Sequence, residues 1–300
     1  MTPAQLSRTV LHTVRRAVEA DELCVDVPER VKVQTPPRPG CGDYATNVAL
    51  QLARGRGPGA AAGIAEVLRR RLVGTPGIAA VDIAGPGFLN ITLDGRAHDQ
   101  LLGGVLEQGD GYGLGDSLAG VHSRFAPAGE VRAALVLHVV TGLVEGCGGS
   151  VDVGVGGEVI SVRGAGVDGP ELLTRLGGDA ARWALLRAAA HDLPDLDPGR
   201  LLSQREGNPL FRVRYAHALA HRESCSDESD DIALLGLIGD FPRVVEAAAR
   251  HRAPDRLARH LVATADAFLP GTRRKRLAEA TGVVLANGLR LLGISAPIRL

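Results

Sequence analysis

Histidine is the side chain best suited to move protons or hold metal ions near neutral pH, and this chain has nine. His217 and His221 stand four apart in a helical stretch, a spacing that can hold a metal ion. No Glu completes an HExxH pattern around them, and the pair reads as packed or exposed, so no metal site is expected. His138 lies in the apolar run AALVLHVVTGLV, which predicts a buried, hydrogen-bonded core residue. His251 and His260 fall near helix ends and read as surface positions. Cys24, Cys41, Cys147 and Cys225 form no CxxC pair, which predicts reduced, scattered thiols. The Gly-rich GVGGEV, 154–159, lacks the lysine and following Ser or Thr of a phosphate loop and reads as a tight turn. There is no GxSxG or Walker A string.

Residues suited to hold nucleic acid are easier to find. LRRRL places Arg69, Arg70 and Arg71 on one helix, and TRRKRL places Arg273, Arg274, Lys275 and Arg276 on another. Such clusters supply phosphate contacts or are simply solvated faces. Tyr44 and Asn47 are candidate stacking or polar contacts to an unpaired base. The alternative is a ring packed back on a sheet beside a cap-region amide. Tyr215 with His217 forms either part of an RNA-facing surface or core packing of its helix. The formal net charge is +0, because acidic runs offset the arginines, so the total neither announces nor excludes an RNA partner.

The elements that must position these residues fall into three parts. Over residues 1–112 a helix, an extended proline-rich stretch, further helices and a strand pair predict an α+β domain. The strands come from AAVDIAGPGFLNITL, turning at Ala84-Gly85-Pro86-Gly87. GDYATNVALQLA reads as a helix start, with Asp43 or Thr46 as cap. Residues 113–168 are dense in glycine with short apolar runs, consistent with a small buried βα unit. Residues 169–300 are helical throughout. Asp179 and Asp197 are candidate caps, Pro209 restarts a helix, SCSDESDD is an acidic loop, and a bundle is expected. Hydrophobic residues make up 45% of the chain and aromatics 3%, so aliphatic side chains must build the core. No apolar run approaches the ~20 residues of a membrane span, and the first residues make a poor signal peptide. The expectation is a cytoplasmic protein without a membrane partner.

Several separated stretches resemble one family in its own order. RPGCGDYATNVALQLA and VDIAGPGFLNITL resemble the N-terminal additional domain of arginyl-tRNA synthetases. NPLFRVRYAHALA and VLANGLRLLGISAPIRL resemble their helical anticodon-binding domain, the DALR domain. GGDAARWALL and LDPGRLLSQREGNP resemble the link between catalytic core and bundle. The resemblance implies an α+β N-terminal domain over 1–112 that clamps tRNA and an all-α C-terminal helix bundle over 169–300 that reads the anticodon. Between them it implies a small α/β Rossmann remnant over 113–168, where the family carries a large catalytic domain.

Within that remnant, SRFAPAGEVRAAL resembles the strand and turn leading into the HIGH signature, whose place is taken by Arg132, Ala133, Ala134 and Leu135. VISVRGAG resembles the KMSKS region, which falls on Val159, Ile160, Ser161, Val162 and Arg163; its lysine positions are Val159 and Val162. The family's histidines and lysines stabilise charge on ATP phosphates during adenylation, and a preorganised donor of this kind is worth ~3 kcal/mol. This chain has no HxGH string and no lysine near that register. The reading is a non-catalytic paralogue that binds tRNA, with no cofactor and no use of ATP. The alternatives are a scaffold for a protein partner, and a residual ligase or tRNA-dependent transferase built on His122, Ser123, Arg124, Arg132 and Ser161.

Overall fold

A computed structural model describes residues 1–36, 38, 41–222, 231–271 and 274–299. In chain order the elements are α1 (Pro3–Glu19), β1 (Tyr44–Thr46), α2 (Val48–Leu52), α3 (Ala60–Val73), β2 (Ile78–Ala84), β3 (Phe88–Leu93) and α4 (Gly95–Gln108). After a 3-10 turn at Gly109–Gly111 come β4 (His122–Phe125), α5 (Val131–Gly146), β5 (Ser150–Val153), α6 (Gly169–Arg187) and α7 (Pro198–Leu201). The chain continues with α8 (Pro209–Ala220), α9 (Ile232–Arg250), α10 (Pro254–Phe268) and α11 (Lys275–Leu291). Two compact units result. The first holds Met1–Gly104 and Asp231–Asp240; the second holds Val105–Asp230 and Phe241–Leu300. Cys225, Asp227, Glu228, Asp230, Arg273 and Leu300 lie outside the described residues.

In the first unit, Thr2 opens α1 through a capping box. Its hydroxyl accepts from the Gln5 N–H at 3.1 Å, and the Gln5 side chain accepts from the Thr2 N–H at 2.7 Å. Leu6, Val10 and Val14 follow at four-residue spacing and are fully buried on one face. Ile64, Leu68 and Leu72 do the same for α3. Both helices share a core with Leu89 and Ile91 of the antiparallel sheet, whose strand order is β1-β3-β2. The β2–β3 hairpin closes from Ala84 to Phe88, where the sequence put its turn. Gly87 has φ +143°, and a Cβ there would meet Ala61 at 3.1 Å, so the turn needs glycine twice over.

GDYATNVALQLA holds the expected helix start, with a strand before it and Thr46 of the two candidate caps bonding the first turn. Tyr44–Thr46 form a strand against β3, pairing Tyr44 with Ile91 and Thr46 with Leu89, and only Val48–Leu52 are helical. Asp43 caps no helix; its carboxylate accepts the Leu93 N–H at 2.7 Å and ties the strand ends together. The Thr46 hydroxyl accepts from the Val48 N–H at 3.3 Å.

In the second unit, β4 and β5 run parallel on either side of α5, a βαβ unit with His122 opposite Ser150 and Phe125 opposite Val153. AALVLHVVTGLV is therefore mostly helix, and it turns His138 to solvent, contrary to the expected core position. His260 departs the other way; at 8% exposure it is buried on α10. α6 breaks at Gly177, whose φ 71°, ψ 170° is open essentially to glycine alone. Asp179 follows the break, but its carboxylate turns away from the helix's own N–H groups. Its carboxylate accepts from the Ser295 N–H and hydroxyl and from Arg214. Asp197 does cap α7, and Asn208 caps α8. α8, α10 and α11 pack together, α10 and α11 so closely that a Cβ at Gly288 would fall 2.3 Å from Leu261. The architecture is a small mixed α/β portion with a helical bundle, preceded by an α+β domain.

Candidate functional site

The βαβ unit centres on one arginine. β4 ends at Phe125, and Glu130 caps α5 by accepting the Ala133 N–H at 2.9 Å. Arg132 therefore sits in the first turn of α5, and it is 1% exposed. Its Nε donates to the Leu185 carbonyl at 3.0 Å. Nη1 donates to the carbonyls of Arg163 and Asp192, both at 2.7 Å, and Nη2 to those of Ala188 and Ala189 at 2.7 and 2.8 Å. The carbonyls of Leu185, Ala188 and Ala189 belong to the C-terminal end of α6, where helical acceptors lack partners and the dipole favours a cation. Burial pulls the guanidinium's pKa down, opposed by Glu130, Asp192 and Asp255.

This arginine also joins the start of α5 to the stretch around Arg163, the two places where the sequence put the HIGH and KMSKS registers as expectations: Arg132 Nη1 donates to the Arg163 carbonyl. The Arg163 N–H donates to Ala190 at 2.7 Å. Ala133, Ala134 and Leu135 are half-buried. Val159 is 71% exposed, Ile160 is buried, Ser161 and the Arg163 side chain are exposed, and Val162 is half-buried. The contact between the two stretches is thus a side chain on backbone, with every guanidinium bond spent inside the protein. Nearby, the His122 Nδ1 lies 3.0 Å from the Ser150 hydroxyl and its Nε2 3.4 Å from Asp152. Ser123 is buried and Arg124 exposed. The carbonyl-bearing residues Ala188, Ala189 and Asp192 line an open groove of about 400 Å³ with Trp183, Arg187 and Arg259.

Among the residues suited to RNA, burial sorts the candidates. In the first unit the Tyr44 ring is 5% exposed, so the packing alternative describes it. Asn47 is half-buried, and its side-chain oxygen accepts from the Gln51 amide at 2.9 Å. Arg69 is held bidentately by Glu66 and Arg71 by Glu22. Those hydrogen bonds hold both carboxyls below their ordinary pKa. Arg70 is exposed and, among the described residues, makes no hydrogen bond or ion pair.

In the second unit Tyr215 is 42% exposed and stacks on Phe211, with centroids 5.8 Å apart and planes 12° apart. The i,i+4 spacing of these rings was legible in LFRVRYAH; Phe211 was nevertheless missed as Tyr215's partner. His217 does not join that surface, for it is 2% exposed and its Nδ1 lies 3.0 Å from the Pro297 carbonyl. Burial holds its pKa below the ordinary value; the Pro297 carbonyl opposes this and His221 adds to it. Arg214, also unflagged by the sequence, binds Asp179 and the Ser295 carbonyl and hydroxyl, fastening the segment after α11. Arg274 precedes α11 and is half-buried, while Lys275 and Arg276 are exposed. Among the described residues no group of three or more His, Cys, Asp or Glu converges, and no helix is long and apolar enough to cross a membrane.

Comparison with known proteins gives these geometries a lineage. Residues 5–93 match the arginyl tRNA synthetase N terminal domain. The arginine–tRNA ligase of Renibacterium salmoninarum is 47% identical over 123 residues, covering 40% of this chain and 22% of the relative. That of Frankia alni is 48% identical over 115 residues, covering 38% and 20%. The matched part therefore spans about a fifth of the length of these curated relatives. The fold is similar to Thermus thermophilus arginyl-tRNA synthetase, with a TM-score of 0.74, 13% identity and 100% coverage of both chains. It is also similar to the Plasmodium falciparum enzyme, with a TM-score of 0.70, 7% identity and 99% coverage of each. By its N-terminal domain and by its fold, the chain is related to the arginyl-tRNA synthetases.

Proposed function

We propose that this protein is a non-catalytic relative of arginyl-tRNA synthetases that binds tRNA in the cytoplasm. In this reading residues 1–112 are the RNA-clamping domain, 113–168 a vestige of the catalytic domain, and 169–300 a DALR-like anticodon-binding bundle. Arg132 carries the argument against adenylation. The group at the HIGH register is buried and donates to five backbone carbonyls, which leaves it no bond for a phosphate oxygen. Neither register offers a lysine, so the lysine donors that the resemblance implies for the transition-state charge of adenylate formation are missing there.

The RNA half of the proposal rests on the relationship and on exposed groups of fitting chemistry. Arg70, Lys275 and Arg276 are exposed cations for phosphates, and the Tyr215–Phe211 stack offers an aromatic face to an unpaired base. The test incubates the full chain with total tRNA, recovers and sequences what is retained, and assays the same protein for arginine-dependent ATP–pyrophosphate exchange. Retained tRNA without exchange supports the proposal; exchange above background would overturn its non-catalytic half.

One observation favours a second reading, a scaffold for a protein partner. Val153, Val155 and Val159 are 53%, 90% and 71% exposed beside the β4–β5 sheet. Absence of retained tRNA would move the account to that reading.

A further inference from the structure

His217 and His221 lie one turn apart at the C-terminal end of α8 and are brought edge to edge. Their Nε2 atoms are 3.1 Å apart, and the rings meet at 74° with centroids 4.6 Å apart. We propose that the Nε2 atoms of His217 and His221 form a bidentate site for one divalent transition-metal ion of the zinc class. This goes beyond RNA binding and does not depend on it.

Three features carry the site. The first is the bite. With metal–nitrogen bonds of about 2.0–2.1 Å, two cis imidazoles lie about 3.0 Å apart on an octahedral ion and about 3.4 Å apart on a tetrahedral one. The observed separation falls between these values. The second is the tautomer. The Nδ1 of His217 is 3.0 Å from the Pro297 carbonyl, an acceptor, so Nδ1 carries the proton and Nε2 presents its lone pair. A backbone carbonyl on the far ring nitrogen is the partner that metal-ligating histidines commonly use. The third is access: His221 closes α8 and is exposed, beside the buried His217.

In the absence of an ion, the His221 Nε2–H donates to the His217 Nε2. On binding, His221 gives its Nε2 proton to solvent and takes one from solvent at Nδ1, so that both rings are neutral Nδ1–H imidazoles with their Nε2 lone pairs on the ion. Among the described residues no third His, Cys, Asp or Glu completes a cluster, so water fills the remaining positions. Imidazole ligands suit zinc, nickel and copper and disfavour magnesium and calcium.

The test uses the full chain free of any affinity tag and Zn²⁺ alone, titrated against a chromophoric zinc indicator at neutral pH. One ion per chain is expected, accompanied by a rise in Tm. His221→Ala removes an exposed ligand at the helix end, so its zinc-free melt should match the wild type. Its zinc affinity should fall at least about tenfold, since even partners outside the ligand set are worth 10- to 100-fold. Mg²⁺ at the same concentration should leave Tm unchanged. No zinc binding by the wild type, or undiminished affinity and Tm shift in His221→Ala, would overturn the proposal.

Discussion

Arg132 shows how one side chain can hold separate parts of a fold together. Five N–H···O bonds at 2.7–3.0 Å join α5, the end of α6 and the stretch around Arg163. Removing the guanidinium leaves one buried and four part-buried carbonyls without this donor, a fully buried unsatisfied group costing about 1–3 kcal/mol. Arg132→Ala should therefore lower unfolding free energy by at least about 3 kcal/mol in urea melts. Arg132→Lys, which cannot reproduce the planar fork, should recover less than half of that loss. Asp179 makes a second prediction at this scale. Burial raises its pKa, but the hydrogen bonds of Ser295 and the charge of Arg214 outweigh it, and the folded value lies below 3.8. The group therefore stabilises the fold above pH 3.8, and the contribution is lost as pH falls through the lower folded pKa. Asp179→Asn should cost a constant amount of stability at neutral pH. The gap from wild type should close in acid denaturation below pH 4.

Elements were legible in the sequence where local spacing decided them and obscure where distant contacts did. α1, α3 and the β2–β3 hairpin follow from apolar periodicity and from Gly85-Pro86-Gly87, all within a few residues. The strand Tyr44–Thr46, just before the helix start, was not read because its evidence lies far along the chain, in the pairing with Leu89 and Ile91. AALVLHVVTGLV was ambiguous for another reason. A short run apolar on all sides suits a buried strand or a buried helix, and only the fold shows His138 facing outward. At the candidate site the exposed cations were readable as types. Which of them is paired was not, because Glu22 meets Arg71 across 49 residues. Gly177 carries the prediction for this scale. Its φ 71°, ψ 170° kink divides α6, and Gly177→Ala should cost about 1–3 kcal/mol of backbone strain. A helix-stabilising effect of that substitution in thermal melts would contradict the kink.

For the molecule as a whole, a net charge of +0 coexists with local basic groups free to meet an anion. Arg69 and Arg71 are neutralised by Glu66 and Glu22, while Arg70, Lys275 and Arg276 remain exposed. Arg70→Glu should weaken tRNA binding more than Arg69→Ala, whose cation is already paired, in filter-binding assays at moderate salt. Lys275→Glu combined with Arg276→Glu should weaken it further and flatten its salt dependence by about one unit of slope per lost phosphate contact. The central claim is that a relative of arginyl-tRNA synthetases has kept RNA-holding parts while its adenylation chemistry is gone. The most direct measurement is the affinity of the full chain for total tRNA across a salt series. The account predicts binding at low salt and a log–log slope of about −0.9 for each phosphate contacted. No binding at any salt, or binding indifferent to salt, would contradict it.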